Sequence, residues 1–377
     1  MKKHWLLAAL AGAALAGCVK NDVLVPQEKN VKIGFASPVL NSNVNTKTKV
    51  YGEIGSHIYE GSSVVYSYPR EEKFKIFAVE HSGDLISWGD ATTTATAFNG
   101  QAISYYSSLD AWVPFTDNNG YYYWPDDAKL SFAAMSPAEL DVTGATVTYG
   151  AKGLVVDNFI VADDPAKQYD LLYSERSINQ TSQDVINGAQ YYSGIPIVFK
   201  HSLASIHFSL KSTATEEVTL QSITLKNSYN KGKFEENITD EAALTRAPKW
   251  TTASDSDTKD YQSFKGSVVF PENPQYVSDL AAKDGIDDDV SHPLLLLPQT
   301  LSDNVVVEVK YLVGGELKTR NVQLNKYPAT NPIKAWEPGT KYTYRLVYSA
   351  DAQKQDIIYF SPSTQDWTDG GIVEVTL

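Results

Sequence analysis

Cysteine is almost absent from this 377-residue chain, which contains a single one, Cys18. A lone thiol cannot close an intrachain disulfide and cannot supply the thiolate cluster of a structural zinc site. If Cys18 is itself modified, no thiol remains for catalysis either. Stability must then come from packing, and a chain of this length with 42% hydrophobic residues can bury a sizeable core.

Positive charge is also scarce. The chain has 32 Lys and Arg against 45 Asp and Glu, for a formal net charge of −13. Nucleic-acid phosphates would be repelled by this balance, and so would an anionic lipid surface. The acidity suits an exported protein that has to stay soluble.

Long apolar runs and helical periodicity are the third absence. The longest apolar run, residues 5–16, is shorter than the ~20 residues of a membrane-spanning helix. Outside it, no long segment repeats apolar residues at i, i+3, i+4 and i+7. Alternating runs are common instead, and the 23 Tyr, 13 Phe and 7 Trp suit pleated, half-buried surfaces. The chain is therefore predicted to be all-β.

The first eighteen residues have the pattern of an export signal. Lys2 and Lys3 precede the apolar run, and Leu-Ala-Gly-Cys at 15–18 closes it. This ending resembles the lipobox of bacterial lipoproteins, which implies cleavage before Cys18 and lipid on its sulfur and new amino group. The alternative is an ordinary secreted protein with a chance cysteine at the boundary. Removal of residues 1–17 would leave 360 residues with a charge of −15, a length that suggests two domains.

Several segments alternate clearly enough to assign their faces. Residues 31–35 form a short predicted strand with Val31, Ile33 and Phe35 on one face. In the strand at 73–79, one face carries Phe74 and Ile76 and the other carries Phe77 and Val79. In the strand at 203–210, the core-facing set is Ala204, Ile206, Phe208 and Leu210.

Turn signals and polar stretches divide the chain. Gly314-Gly315 between two alternating runs predicts a β-hairpin. Residues 18–30 are expected to be a tether, and the polar stretch 176–193 a seam. The seam separates a predicted N-terminal β-sandwich domain (31–193) from a C-terminal one (194–377). Residues 228–265 are polar and charged and are expected to form a surface excursion.

Short motifs follow one another in order along the chain: the lipobox, the strand at 31–35 with Lys47-Thr48-Lys49 after it, Tyr123-Trp124-Pro125 before Leu-Ser-Phe-Ala-Ala at 130–134, Asp-Leu-Leu-Tyr at 170–173, Val-Phe-Lys-His-Ser-Leu-Ala-Ser-Ile at 198–206, Leu-Leu-Pro-Gln at 296–299, and Trp-Glu-Pro-Gly-Thr-Lys-Tyr at 336–342. Together they resemble the fimbrillin family of Bacteroidetes, the type V pilus subunits and their relatives. Each motif is weak alone, and their order along nearly the whole chain is fairly specific.

The resemblance implies two transthyretin-like β-sandwich domains, export as an outer-membrane lipoprotein and assembly into an extracellular fimbrium. In the family, proteolysis beyond the first strand removes that strand, and the C-terminal strand of a neighbouring subunit fills the open groove by β-strand addition. Here the displaced strand would carry Val31, Ile33 and Phe35. The candidate donor residues are Ile372, Val373, Val375 and Leu377.

The processing site departs from the family pattern. The family usually has Arg beyond the first strand, whereas this loop has Lys47 and Lys49, and the first Arg is Arg70, preceded by Pro and followed by two acids. Cleavage at a lysine, cleavage at Arg70, and an uncut subunit serving as anchor or cap are all compatible with the sequence. These side chains could equally be solvated loop charges.

A few other residues are candidates for binding or catalysis. His201 and His207 could share a sheet face but lack a third zinc ligand. The acidic stretch 284–289 is dense enough for calcium but lacks EF-hand spacing. The aromatic residues 121–124 could stack a sugar, although core packing is their commoner use. Asp126 and Asp127 show no sign of a buried partner, and G-x-S-x-G, H-E-x-x-H and P-loop motifs are missing from the sequence.

The sequence therefore predicts a fimbrial structural subunit rather than an enzyme, with no metal or cofactor. Its expected partners are other fimbrial subunits, the outer membrane through lipid on Cys18, and a host or bacterial surface ligand. The alternatives are a monomeric glycan-binding surface lipoprotein and, more remotely, a surface hydrolase.

Overall fold

The computed structural model describes most of the chain from residue 32 onward. The described residues are 32–35, 38–40, 56–60, 63–84, 88, 95–108, 111–114, 122–140, 144–181, 194–240, 243–252, 258–283, 291–327, 332–349 and 358–366.

Strands account for nearly all of the regular structure. Those before residue 193 are β1 (Val39–Leu40), β2 (Ser56–Glu60), β3 (Ser63–Ser67), β4 (Phe74–His81), β5 (Ala95–Tyr106), β6 (Ala111–Pro114), β7 (Lys129–Ser136), β8 (Thr146–Gly150), β9 (Gly153–Ile160), β10 (Leu172–Ser174) and β11 (Ser177–Gln180). Those after it are β12 (Val198–His201), β13 (Ala204–Ser212), β14 (Val218–Tyr229), β15 (Lys231–Glu235), β16 (Ile238–Asp240), β17 (Thr245–Arg246), β18 (Lys249–Thr252), β19 (Thr258–Val269), β20 (Gln275–Tyr276), β21 (Leu294–Leu296), β22 (Val306–Val313), β23 (Glu316–Gln323), β24 (Thr340–Tyr348) and β25 (Ile358–Asp366).

Helix is limited, within the described ranges, to α1 (Val277–Lys283) and two single-turn 3₁₀ segments, Pro165–Lys167 and Leu324–Lys326. None of the described helices is long and apolar enough to cross a membrane. The all-β prediction is confirmed.

Most strand pairs are antiparallel, and ten of the described strands form the largest sheet. Its order is β2-β3-β1-β12-β10-β7-β4-β5-β6, with β11 beside β7. The parallel pairs in these sheets are β1 with β12 and β13 with β24. The other main sheets have the orders β20-β13-β24-β25, with β21 beside β13, β19-β14-β22-β23 and β18-β15-β9-β8.

The largest sheet is buried on both faces, as its strand β4 shows. Phe74 and Ile76 join the smaller of two hydrophobic cores, and Phe77 and Val79 join the larger one. This is the division of faces that the alternation predicts, because successive side chains of a strand point to opposite sides. The sandwich architecture follows, since each face of the sheet is covered by other elements.

Two more predictions from the sequence are confirmed, the inward face of β13 and the β22–β23 hairpin. Ala204, Ile206, Phe208 and Leu210 of β13 all lie in the larger core. The hairpin β22–β23 turns at Gly314 and Gly315, whose φ angles are 58° and 83°. Two positive φ angles are the geometry of the tight hairpin turn that only glycine and a few polar residues adopt readily.

One expectation was wrong: residues 228–265 are not a surface excursion. They contain β15 to β18 and much of β19, and Phe234, Tyr261 and Phe264 are fully buried in the larger core. The charged residues around Phe234 made this segment look like a surface loop in the sequence. In β15, half-buried lysines and a glutamate alternate with buried Gly232 and Phe234. For this segment, the alternation of buried and exposed residues predicts a strand better than the average polarity does.

The two halves of the chain share structure across residue 193. The sheet β18-β15-β9-β8 takes two strands from each side of this position. The larger core likewise combines Phe77 and Met135 with Leu203 and Leu225. The division into domains at 193/194 stays a prediction, and any such domains are in extensive contact.

Candidate functional site

The first described segment, residues 32–35, lies between chain segments that come much later in the sequence. Phe35 bridges antiparallel to Trp112 and parallel to Ile195, and Lys32 bridges antiparallel to Tyr123. The segment is therefore inserted as a short strand and has backbone partners on both of its sides.

Three backbone hydrogen bonds join this strand to its neighbours within the described residues. The Ile33 N–H donates to the Tyr122 carbonyl at 2.8 Å, and the Phe35 N–H donates to the Trp112 carbonyl at 3.0 Å. On the opposite side the Ile195 N–H donates to the Gly34 carbonyl at 3.0 Å. Removal of the strand would leave the Tyr122 and Trp112 carbonyls and the Ile195 N–H without these hydrogen bonds.

The side chains of the strand are fully part of the smaller core. Ile33 and Phe35 are 3% and 4% exposed, whereas Lys32 is exposed. The Phe35 ring meets Phe74 and Phe132 edge to face, with centroids 6.1 and 5.8 Å apart. Edge-to-face rings at this distance are a favoured packing. We call the slot that holds these two side chains the first-strand groove; its apolar surroundings are Phe74, Ile76, Ile103, Trp112, Trp124, Phe132, Ile195, Ile197 and Phe199.

Arg70 lies in an exposed turn between β3 and β4. The Glu72 N–H donates to the Pro69 carbonyl at 3.2 Å, which closes the turn. The Arg70 guanidinium carbon lies 4.3 Å from the centre of the Tyr105 ring, a cation–π contact. Arg70 is thus on the surface but held against the edge of the smaller core.

Tyr68, two residues before Arg70, was not foreseen from the sequence. Its side chain is 2% exposed and packs on the rings of Phe74, Trp112 and Phe199. Its hydroxyl lies 2.7 Å from Ser136 Oγ and donates to the Lys73 carbonyl at 3.0 Å. Burial raises the pKa of this phenol above its ordinary value. The one sequence signal was an aromatic residue directly before a proline turn.

Several residues singled out from the sequence lie outside the described residues: Cys18, Val31, Lys47, Lys49, Ile372, Val373, Val375, Leu377 and the acidic stretch 284–289. The nearest described strand to the predicted donor is β25, which ends at residue 366 and lies at one end of the sheet β20-β13-β24-β25.

The two candidate histidines have different partners. His201 Nδ1 lies 2.9 Å from Asp170 Oδ2, both side chains being buried, and His207 Nε2 lies 2.7 Å from Ser205 Oγ. No group of three or more metal-ligating residues was found in the part of the chain that the structure describes.

The aromatic residues after position 121 do not form one exposed platform. Trp124 is 6% exposed and packs on Phe132, and Tyr122 is half-buried with its ring 4.6 Å from that of Phe98. Tyr123 alone among the described members is well exposed, at 46%. These residues form a wall of the first-strand groove, because Tyr122 supplies the carbonyl that Ile33 binds.

A family model described as fimbrillin-like matches residues 70–367. This chain belongs to the fimbrillin-like family. The resemblance drawn from the ordered motifs is confirmed. Fimbrillin-like proteins are structural, so the chain is not an enzyme, and membership places it at the cell surface and indicates assembly with other fimbrial subunits.

Solved structures of related fold come from Bacteroides species. One, from Bacteroides uniformis and assigned to cell adhesion, has a TM-score of 0.52 at 14% identity, covering 91% of this chain and all of that one. Another, a fimbrial protein from Bacteroides vulgatus, has a TM-score of 0.50 at 17% identity, covering 78% of this chain and 93% of that one. At these identities the likeness concerns the fold. No curated protein matches the chain.

Proposed function

We propose that this fimbrillin-like protein is exported as a lipoprotein and joins its neighbours by strand exchange at the first-strand groove. The observation that carries the proposal is the position of residues 32–35. Their Ile33 and Phe35 side chains are deeply buried, and their described backbone bonds run to segments that are distant in the sequence, at Trp112, Tyr122 and Ile195. Such a segment can be replaced by another strand of similar pattern without rebuilding the sheet around it.

The groove selects its occupant by apolar side chains two residues apart. Burying Ile33 and Phe35 stabilises the strand by roughly 1.5–3 kcal/mol each. An incoming strand has to offer comparable groups in the same spacing. The C-terminal sequence Ile-Val-Glu-Val-Thr-Leu at 372–377 has this spacing twice, at Val373 and Val375 and at Val375 and Leu377.

Removal of the resident strand is the step that opens the groove. A cut after Lys47 or Lys49 would detach residues 32–40, including β1, from the rest of the chain. A cut after Arg70 would also detach the β2–β3 hairpin and Tyr68. In both cases β12 loses β1 and becomes an open sheet edge beside the apolar slot, which is the arrangement that strand addition requires.

Cys18 would tether the unprocessed precursor through its lipid. With more than one acyl chain on one residue, the anchor is stable rather than marginal. Cleavage beyond the first strand would separate the subunit from this anchor at the moment the groove opens. An uncut subunit would stay on the membrane as the base of the fimbrium.

The test is the state of the protein on the cell surface. We expect a ladder of heat-sensitive multimers on denaturing gels and a mature start after Lys47, Lys49 or Arg70. Val375→Asp should abolish the ladder, because a charge at a buried donor position is unfavourable. Leu317→Asp is the matched control, since Leu317 is 61% exposed on β23 and lies far along the chain from the donor segment.

A single monomeric band from wild-type cells would contradict assembly. A ladder that persists after deletion of residues 372–377 would contradict this donor. Lipid attachment is tested separately: Cys18→Ser should no longer incorporate labelled fatty acid, and incorporation by that variant would overturn the anchor.

A further inference from the structure

The turn that carries Arg70 is tied down from both sides. Before it, the Tyr68 N–H donates to the Pro38 carbonyl at 3.1 Å and the Tyr68 ring is buried among three aromatic rings. After it, the Lys73 carbonyl accepts both the Tyr68 hydroxyl at 3.0 Å and the Ala138 N–H at 2.8 Å. The side chain of Tyr68 thus closes a loop around the turn by bonding to the backbone five residues ahead.

Exposure of Arg70 does not make its peptide bond a good protease substrate. A trypsin-like protease needs several residues on both sides of the cut in an extended conformation. Susceptibility to cleavage follows from how firmly the backbone around the site is buried and hydrogen-bonded, not from exposure of one side chain. Here an extended stretch through Arg70 would require the Pro69–Glu72 turn to open and Tyr68 to leave the core.

We propose that Tyr68 is a latch that closes the exposed Arg70 site to arginine-specific proteolysis in the folded subunit. The role of this latch in assembly rests on the proposed function. In that role, Tyr68 would make cleavage at Arg70 depend on local opening at the edge of the first-strand groove. Because Tyr68 and Phe35 both pack on Phe74, loss of the first strand weakens the packing that holds the Tyr68 ring. The latch would therefore favour a first cut in the lysine-bearing loop and a later cut at Arg70.

The experiment is limited proteolysis of the purified folded chain with an arginine-specific protease. The fragment that begins at Glu71 is followed by mass spectrometry, and Arg70→Lys identifies its signal by removing it. In the wild type we expect this bond to be cut far more slowly than in the urea-unfolded chain. Tyr68→Phe keeps the ring but removes the hydroxyl and its bonds to the Lys73 carbonyl and Ser136 Oγ. It should speed the cut at least about fivefold, the factor expected from losing one of these hydrogen bonds.

Tyr344→Phe is the matched control. The Tyr344 hydroxyl is fully buried and accepts a hydrogen bond from Trp336 Nε1 at 2.9 Å, but Tyr344 lies in the larger core, away from Arg70. If cleavage needs only local opening, Tyr68→Phe accelerates it and Tyr344→Phe does not. Equal acceleration by both variants would mean that cleavage follows global unfolding, and would overturn the latch.

Two further outcomes also decide the matter. Rapid cleavage of the wild-type Arg70 bond, at the rate of the unfolded chain, would overturn the proposal outright. Should Tyr68→Phe fold poorly by circular dichroism, Ser136→Ala replaces it: this change removes one of the two partners that hold the Tyr68 hydroxyl, and no acceleration of the Arg70 cut by this variant would overturn the latch. The assay needs no assembly, so its failure leaves strand exchange untouched, and absence of a multimer ladder leaves the latch untouched.

Discussion

Glu236 shows how single residues of this protein are constrained by distant parts of the chain. Its side chain is fully buried, accepts the Leu154 N–H at 2.9 Å and pairs with Arg246 Nε at 2.6 Å. A buried carboxylate needs such partners, because removing one leaves an uncompensated charge or lone pair. Burial, with a smaller contribution from this carboxylate, also raises the pKa of Tyr173 to about 12.

Gly153 makes room for this carboxylate. Its φ angle is +85°, and a Cβ at this position would collide with the Glu236 side chain. We expect Gly153→Ala to lower the free energy of unfolding by about 3 kcal/mol, from backbone strain and displacement of Glu236. Gly144→Ala is the control for strain alone, since its φ is +89° with nothing within 4 Å of the added carbon, and should cost about 1 kcal/mol in urea unfolding. Equal effects of the two changes would contradict the steric argument.

Glu308 predicts a measurable pH dependence. Hydrogen bonding to Lys226 at 2.8 Å, together with the charges of Lys226 and Lys310, lowers the pKa of Glu308. A lowered folded pKa adds stability above the ordinary glutamate pKa and loses it as pH falls through the folded value. Relative to Glu308→Gln, the wild type should be more stable by less than about 1 kcal/mol at pH 7, and equally stable in strong acid. An unchanged difference at low pH, measured by urea unfolding, would refute this assignment.

At the scale of elements, the inserted strand at residues 32–35 is paired differently from the long strands β13 and β24 of the larger core. It reaches its neighbours through isolated bridges, whereas β13 and β24 share eight consecutive register pairs. Stability within one protein is distributed in this way, and segments with few backbone bonds open most easily. We therefore expect residues 32–35, the segment that the proposed assembly must release, to open more readily than β13 or β24.

Phe35→Ala should loosen this strand selectively. Truncating a buried Phe typically costs about 3–5 kcal/mol, and here the loss falls on a segment that can detach by itself. We expect hydrogen exchange of the Ile195 N–H, which donates to Gly34, to accelerate strongly, while the Phe208 amide of β13 keeps its protection. Lys32→Ala serves as the control because Lys32 is exposed. Uniform acceleration at both amides would instead indicate that the segment unfolds only with the whole molecule.

At the scale of the whole molecule, the two cores are not independent. They lie on opposite faces of the same strands, as β4 and β7 show, since Phe132 and Ala134 join one core and Ala133 and Met135 the other. Losing either core would expose one face of the shared sheet to water. Unfolding one core while the other stays folded therefore costs the free energy of exposing that face, which disfavours separate unfolding.

We therefore expect one calorimetric transition, with a calorimetric-to-van't Hoff enthalpy ratio of about 1. Phe264→Ala in the larger core and Phe98→Ala in the smaller core should both lower the midpoint of this single transition. Two resolved transitions, each shifted by only one of the variants, would show that the halves fold as separate units.

Sequence reasoning reached the pattern of faces and part of the site. The alternation in β4 and β13 identified the correct inward residues, Gly314-Gly315 predicted the β22–β23 hairpin, and Ile33 and Phe35 were placed on one face. Sequence reasoning failed at β15, where charges flank Phe234, and it did not predict that Tyr68 or Glu236 would be buried. The period of two is written in consecutive residues, whereas burial of a charge or a phenol depends on partners such as Arg246 and Ser136 far along the chain.

The order of residues alone determined that the chain is all-β, which face of its clearest strands turns inward, and that its motifs are those of a fimbrillin. Only the tertiary structure decided that residues 32–35 lie between Trp112 and Ile195, and that Arg70 is fastened by Tyr68. The physical reason is the difference in sequence separation between the residues involved. Strand patterning arises between residues one or two apart, while grooves and latches are made by contacts that chain folding brings together from segments with no shared local signal.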